Sequence, residues 1–242
     1  MCGRFTQMRT WAELLEIYGI AESLSPSNFP ARYNIAPTQN VPVVRRQPKS
    51  DERELVTLRW GLVPSWAKEI GIGAKMINAR AETVADKPAF RDAFKQRRCL
   101  IVADGFYEWQ AQPRGPKHPG PKQPYFITTA DGRPFAFAGL WEEWWSPESN
   151  LIESCTIITT EASPALRPVH PRMPVILTPG SFDAWLDGVS GTGDARALLA
   201  PYAGELTLRP VGRRVNDVGN DDPGCIEPAG ETQPALYAAS LE

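Results

Sequence analysis

Apolar positions recur along the chain in two rhythms. Near the start, Trp11, Leu14, Leu15 and Tyr18 fall at i, i+3, i+4 and i+7, which predicts a helix over Thr10–Tyr18 with one apolar face. Thr10 can cap it, Glu13 stands in the capping-box position, and Gly19 follows where a helix ends. Most of the remaining chain reads instead as short apolar runs bounded by turn residues. Val41–Arg46 and Leu55–Leu62 predict two strands around a polar hairpin loop, Gln47–Glu52. Further strands are expected at Cys99–Ala103, Phe106–Trp109, Pro124–Thr129, Phe135–Trp141, Cys155–Thr160 and Pro174–Thr178. Helices are expected at Lys87–Gln96, where Phe90 and Phe94 are spaced i, i+4, and at Gly180–Leu186 and Asp194–Leu199. Pro26–Ala36, the connection Asn78–Thr83, the Pro/Gly/Lys loop Pro113–Pro124 and the tail Arg209–Glu242 read as irregular.

Short strands outnumber helices and no βαβ alternation occurs, which predicts an α+β fold around a curved, mostly antiparallel sheet with peripheral helices. No linker divides the chain, so residues 1–242 are expected to form one domain. A hydrophobic share of 42% supplies a sizeable core. No apolar run approaches the roughly 20 residues that span a bilayer, and the N-terminus lacks a signal-peptide profile. A cytoplasmic protein without a membrane partner is expected. The four cysteines form no CxxC pair, and neither His118 nor His170 has ligand spacing to one, so no metal and no cofactor are expected. Cys99 and Cys155 read as buried strand residues. A net charge of −2 argues against a general basic coat, yet leaves room for a local stripe of arginine and aromatic residues that binds nucleic acid.

The chemistry concentrates at Met1-Cys2-Gly3-Arg4-Phe5-Thr6. Met1 is removable because the next side chain is small, and removal leaves Cys2 with a free α-amine and a thiol on adjacent carbons. Reference pKa values of about 7.7–8 and about 8.5 keep both groups partly nucleophilic near neutrality. Such a 1,2-aminothiol condenses with an aldehyde to an imine, which the sulfur closes to a thiazolidine. The same group can attack an acyl carbon, as in N-terminal-nucleophile hydrolases. The bland alternative is a cysteine that merely follows the start codon.

Four further segments place polar residues in unusual settings. Arg4 suits a bidentate phosphate contact or a surface salt bridge. In Trp60-Gly61-Leu62-Val63-Pro64-Ser65-Trp66, Trp60 reads as core, while Trp66 suits either core packing or stacking on a base. In Asn78-Ala79-Arg80-Ala81-Glu82-Thr83, Asn78 offers donors and an acceptor and Arg80 a second phosphate fork; alternatively this is a hydrogen-bonded turn with Glu82 neutralising Arg80. In Asp104-Gly105-Phe106-Tyr107-Glu108-Trp109, strand alternation puts Glu108 on the face of Phe106. Apolar surroundings there raise a carboxyl pKa and suit it to proton transfer, or Glu108 ties down a loop. His170, before Pro171, is a proton shuttle or a structural histidine.

Taken in order, these segments resemble the SRAP family, the SOS response-associated peptidases understood as abasic-site-processing proteins. The resemblance also runs through Tyr33-Asn34-Ile35-Ala36-Pro37, Phe137-Ala138-Gly139-Leu140-Trp141, Ile158-Thr159-Thr160, His170-Pro171-Arg172-Met173-Pro174 and Val215-Asn216-Asp217. It implies a cleft for single-stranded DNA, in which mature Cys2 captures the ring-opened aldehyde of an abasic site as a thiazolidine. It implies Cys2 as nucleophile, Asn78 as orienting group, Glu108 as acid–base and His170 as a proton-transfer aid. Arg4, Arg80 and Arg172 would bind phosphates, and Trp66 would stack on or wedge the bases beside the lesion. It further implies a monomer associated with the nucleoid when on DNA, with replication-fork proteins as partners. The rival class is an N-terminal-nucleophile cysteine peptidase or amidohydrolase, including autocatalytic removal of Met1. Some members carry a second aromatic after the position of Trp66; Ala67 stands there in this chain, which leaves the stacking surface, not the crosslink, open.

Overall fold

A computed structural model of the chain describes residues 2–21, 29–47, 50, 52–112, 120–187 and 192–230. Met1, His118 and most of the Pro113–Pro124 loop lie outside the described residues. The first half runs β1 (Phe5–Gln7), α1 (Trp11–Ile17), β2 (Arg32–Ile35), β3 (Asn40–Arg46), β4 (Arg53–Trp60), β5 (Asn78–Arg80), α2 (Arg91–Gln96) and β6 (Arg98–Ala103). The second half runs β7 (Gly105–Gln110), β8 (Gln123–Thr129), β9 (Phe135–Trp145), β10 (Leu151–Glu161), β11 (Arg172–Pro174), β12 (Ile176–Leu177), α3 (Phe182–Leu186), α4 (Thr192–Ala197) and β13 (Leu206–Pro210).

Two sheets result. One has the order β13-β8-β7-β1-β2. In the other, β10-β4-β3-β6-β9 closes on itself because β9 pairs back to β10, with Cys155 opposite Trp141, which makes a barrel-like ring. Most pairings are antiparallel; β10 runs parallel to β4 and β5. The fold is thus the α+β arrangement around a curved, mostly antiparallel sheet that the pattern of apolar runs predicts.

Strand alternation explains the layering. On β6, Cys99, Ile101 and Ala103 enter one core, while Leu100 and Val102 enter the other. The first core also takes Phe5, Trp60, Phe106, Phe137 and Cys155, so it joins the ring to the second sheet. The other packs the ring against the helices through Trp11, Leu14, Phe94, Phe182 and Trp185. Helix α1 forms as predicted: Thr10 accepts from the Glu13 amide, Glu13 answers at the Thr10 backbone, and Gly19 adopts φ +61°.

Several local expectations differ from the structure. Pro26–Ala36, expected to be irregular, contains a strand, β2. Its backbone is held from two sides: β1 pairs with it, and the Asp221 carboxylate accepts from the Tyr33 and Asn34 amides at 2.5 and 2.9 Å. The Asn78–Thr83 connection begins with β5, three residues added alongside β10. The tail is not irregular from Arg209, because β13 pairs with β8 as far as Pro210. Helix α2 starts at Arg91, after a turn in which the Phe90 and Arg91 amides donate to Lys87.

Candidate active site

Register brings the first residues to Glu108. Phe5 lies opposite Phe106, and the Tyr107 amide donates to the Arg4 carbonyl at 3.0 Å. The chain before β1 continues toward the same strand, and the Glu108 carboxylate acts directly on the Cys2 thiol. β5 supplies Asn78 from the neighbouring sheet, and its side-chain amide donates to the Cys2 carbonyl at 2.9 Å. The loop before β11 supplies His170, whose Nδ1 lies 3.9 Å from Glu108 Oε1. Cys2, Asn78, Glu108 and His170, from four separate segments, therefore meet in one place.

Burial sets their chemistry. Cys2 is fully buried, and its thiol pKa is raised first by burial and then by the negative charge of Glu108. The expectation of a partly ionised thiol near neutrality does not hold in the fold, because a buried anion beside a carboxylate is disfavoured twice. Glu108 is 3% exposed, and burial pushes its carboxyl up to about 7, with the positive charge of the amino terminus opposing. It is thus poised to give or take a proton near neutral pH. His170 is partly buried, and burial lowers its pKa, so its ring is neutral at neutral pH. Its Nδ1 lies 3.0 Å from both the amide nitrogen and the carbonyl oxygen of Arg172, so either tautomer finds a partner there.

The arginines divide. Arg80 is exposed. Arg172 is not open in the same way: both terminal guanidinium nitrogens contact Glu82, Nη2 to Oε2 at 3.0 Å, and Nη2 also donates to the Thr159 carbonyl at 2.6 Å. Glu82 therefore pairs with Arg172, not with Arg80 as the turn alternative held. The carboxylate reaches the neighbouring strand because β5 and β11 both border β10. Among the described residues Arg4 makes no surface salt bridge either. Its Nη1 donates to Asn34 Oδ1 at 2.9 Å and to the Val215 carbonyl at 2.8 Å, fastening the C-terminal segment to β1 and β2. Asn34 adds three bonds from Nδ2 to the carbonyls of Val215, Asp217 and Asn220. Asp104 likewise serves structure, accepting from the Met8 amide and from Arg9.

Trp60 is core, with its Nε1 donating to the Ile77 carbonyl. Trp66 is 58% exposed, on the rim of a cavity of about 350 Å³ lined also by Lys68, Glu69, Gly71, Ile72 and Lys75. The two lysines are polar partners that sequence reasoning missed; only their distance from Trp66 along the chain could have flagged them. Among the described residues no cluster of His, Cys, Asp and Glu could hold a metal ion.

Fold and site together define a class: an α+β ring whose second residue is a buried thiol flanked by an amide, a carboxyl that titrates near neutrality and an imidazole. The family described as SOS response associated peptidase (SRAP) matches residues 1–218. The abasic site processing protein YoqW of Bacillus subtilis (strain 168) is 41% identical over 229 residues, covering 94% of this chain and 99% of its own. The abasic site processing protein HMCES of Xenopus tropicalis is 35% identical over 241 residues, covering 86% and 70%. A solved structure from Bordetella bronchiseptica, 30% identical, superposes with a TM-score of 0.72 over 87% of this chain and all of its own. The fold alone is shared with a Bacteroides thetaiotaomicron protein at 24% identity and TM-score 0.81, over 94% of this chain and 100% of that one. The chain belongs to the SRAP family.

Proposed function

We propose that this protein processes abasic sites in single-stranded DNA by covalent capture through Cys2. The observation that carries the reading is the meeting of Cys2, Asn78, Glu108 and His170 around a buried thiol. Loss of Met1 frees the Cys2 amine. That amine adds to C1′ of the ring-opened sugar and gives a carbinolamine. Glu108, whose carboxyl burial pushes up to about 7, donates a proton to the carbinolamine oxygen as water leaves. The resulting carboxylate then takes the thiol proton, and the sulfur adds to the iminium carbon. One water is released overall and the carboxyl ends protonated, as it began. The raised thiol pKa makes this transfer necessary, since little thiolate exists beforehand. Neutral His170 assists opening of the sugar hemiacetal. Ring closure removes the imine that would otherwise lead to β-elimination and strand scission.

Arg80, with Lys68 and Lys75, takes backbone phosphates, and Trp66 stacks on a base beside the lesion. Arg172 contacts phosphate through the edge that Glu82 leaves uncovered, and Arg4 acts by holding the wall of the cleft. The protein acts as a monomer and a single domain in the cytoplasm, on the nucleoid when engaged, at replication forks. The test is incubation with abasic single-stranded DNA followed by intact-mass analysis. A thiazolidine adduct with wild type and none with Cys2→Ala is expected; no adduct with wild type overturns the proposal.

The same thiol and carboxylate suit one round of attack on the Met1–Cys2 peptide bond, which would supply the amine autocatalytically. On that reading Glu108→Gln, purified without added aminopeptidase, retains Met1 by mass while wild type loses it.

A further inference from the structure

Beyond the four site residues, a second set of polar groups joins the strand that carries the carboxylate to the loop that carries the imidazole. Gln110 lies two residues beyond Glu108 on β7, so the two side chains share a face. Its Nε2 donates to the Pro168 carbonyl at 3.0 Å. Its Oε1 accepts from the Tyr125 hydroxyl at 3.3 Å and from Gln112 Nε2 at 3.0 Å. Tyr125 is itself the register partner of Glu108 across β7 and β8. Pro168 stands two residues before His170. The inner side of that loop is pinned by buried Leu166 and Val169, and by the Leu166 and Arg167 amides donating to the Ser163 carbonyl. Gln110 holds the outer side.

We propose that Gln110, backed by Tyr125, is a positioning residue that sets the separation of Glu108 and His170 and so tunes the proton transfers that each of them makes. The catalytic consequence rests on the proposed DNA chemistry; the positioning itself does not. At 3.9 Å the two groups are too far apart for a strong direct hydrogen bond and close enough for their charges to be coupled. A shift of about 1 Å in the loop changes that coupling and the alignment of a proton in flight. The other charged or titratable groups felt by the pair are Arg172 on β11, Lys122 before β8, Cys2 and the amino terminus. Gln110 is neutral, so its removal alters geometry without altering the charge set.

The test uses the full chain with His118→Asn, which leaves His170 as its single histidine. The imidazole is titrated by proton NMR without DNA, in Gln110→Leu and Tyr125→Phe, alongside Tm and the pH–rate profile of adduct formation. Gln110→Leu loosens the loop, lessens the burial that lowers the His170 pKa, and is expected to move its midpoint up toward the ordinary value near 6.5. The pH–rate profile moves with it, and the rate near neutrality falls about tenfold. Tyr125→Phe moves both in the same direction by less. Midpoints that superimpose on the parent overturn the proposal, whether or not Tm falls, because a purely structural role lowers Tm and leaves the midpoint in place. If the parent yields no adduct while the midpoint still moves, the DNA chemistry fails and the positioning role stands.

Discussion

Asn78 Nδ2 donates to the carbonyl of Cys2 at 2.9 Å, while Asn78 Oδ1 is buried and without a hydrogen-bond partner among the described residues. The bonded half anchors Cys2 to β5. The other half is a buried acceptor beside Cys2, and leaving such a group unpaired costs about 1–3 kcal/mol. A donor from the substrate side, such as an amine or a sugar hydroxyl, offsets that cost. Asn78→Leu is therefore expected to lower the rate of adduct formation about 10- to 100-fold with little change in Tm. Single-turnover gel assays beside thermal melts check both parts.

Glu108 makes stability depend on pH in a direction opposite to that of a salt-bridged carboxylate. Its folded pKa of about 7 lies above the ordinary 4.5, so between these values the unfolded chain has released a proton that the folded chain retains. Folding stability from this group therefore falls as pH rises from about 4.5 to about 7 and is level beyond. The difference corresponds to a penalty on the order of 3 kcal/mol at pH 8. Glu108→Gln is expected to be more stable than wild type at pH 8, with the advantage shrinking toward pH 4.5, and to lose adduct formation. Urea melts across that range decide it; a constant gap between the two proteins contradicts the assignment.

Arg80 and Arg172 should respond differently to salt. Arg80 is exposed, and its loss is expected to reduce the slope of log K against log salt for single-stranded DNA by about one contact. Arg172 is forked onto Glu82, so Glu82→Gln is expected to tighten DNA binding and steepen the slope. Fluorescence anisotropy at several salt concentrations separates the two; equal effects of Arg80→Ala and Arg172→Ala would show that Glu82 does not occupy Arg172.

What could be read from sequence was what repeats or is locally caused. The i, i+3, i+4 spacing and the Thr10–Glu13 box gave α1, and the alternation Phe106–Glu108 placed the carboxylate on a core-facing side. Elements made by partners were illegible. β5 exists because β10 offers an edge, and β2 because Asp221, far along the chain, accepts from its backbone. Likewise Arg4, a free-looking cation in sequence, is consumed by Asn34 and the carbonyl of Val215. Arg4→Ala leaves Asn34 Oδ1 without its donor and the Val215 carbonyl with Asn34 Nδ2 alone, which is expected to cost about 1–3 kcal/mol in stability, measurable by urea titration.

The loop that presents Trp66 is clamped at its neck, and the clamp gives the last prediction. Gly61 adopts φ +127°, and a Cβ there would meet the Gly73 carbonyl oxygen at 2.6 Å; a Cβ on Gly73 would meet Gly61 O at 2.5 Å. Two backbones thus cross where no side chain fits. The loop is braced further along by Val63 N donating to Ser154 Oγ at 2.8 Å and by Trp144 Nε1 donating to the Ala67 carbonyl at 2.7 Å. Trp66 stands 58% exposed beyond these braces, so it contributes little to the fold and is free to stack. Trp66→Ala is expected to leave Tm unchanged and to weaken single-stranded DNA binding by about 1–3 kcal/mol, roughly 5- to 150-fold. Trp144→Phe keeps an aromatic ring but loses the indole N–H bonded to Ala67 and some buried surface, so it should lower stability by about 1–3 kcal/mol and weaken DNA binding by moving Trp66. Gly73→Ala should do both more severely, since the carbonyl it meets is backbone and cannot swing aside. Tm and DNA affinity measured on all three variants check the order: a Trp66→Ala protein that melts early, or a Trp144→Phe protein that binds DNA as wild type does, would show that the braces do not carry the tryptophan.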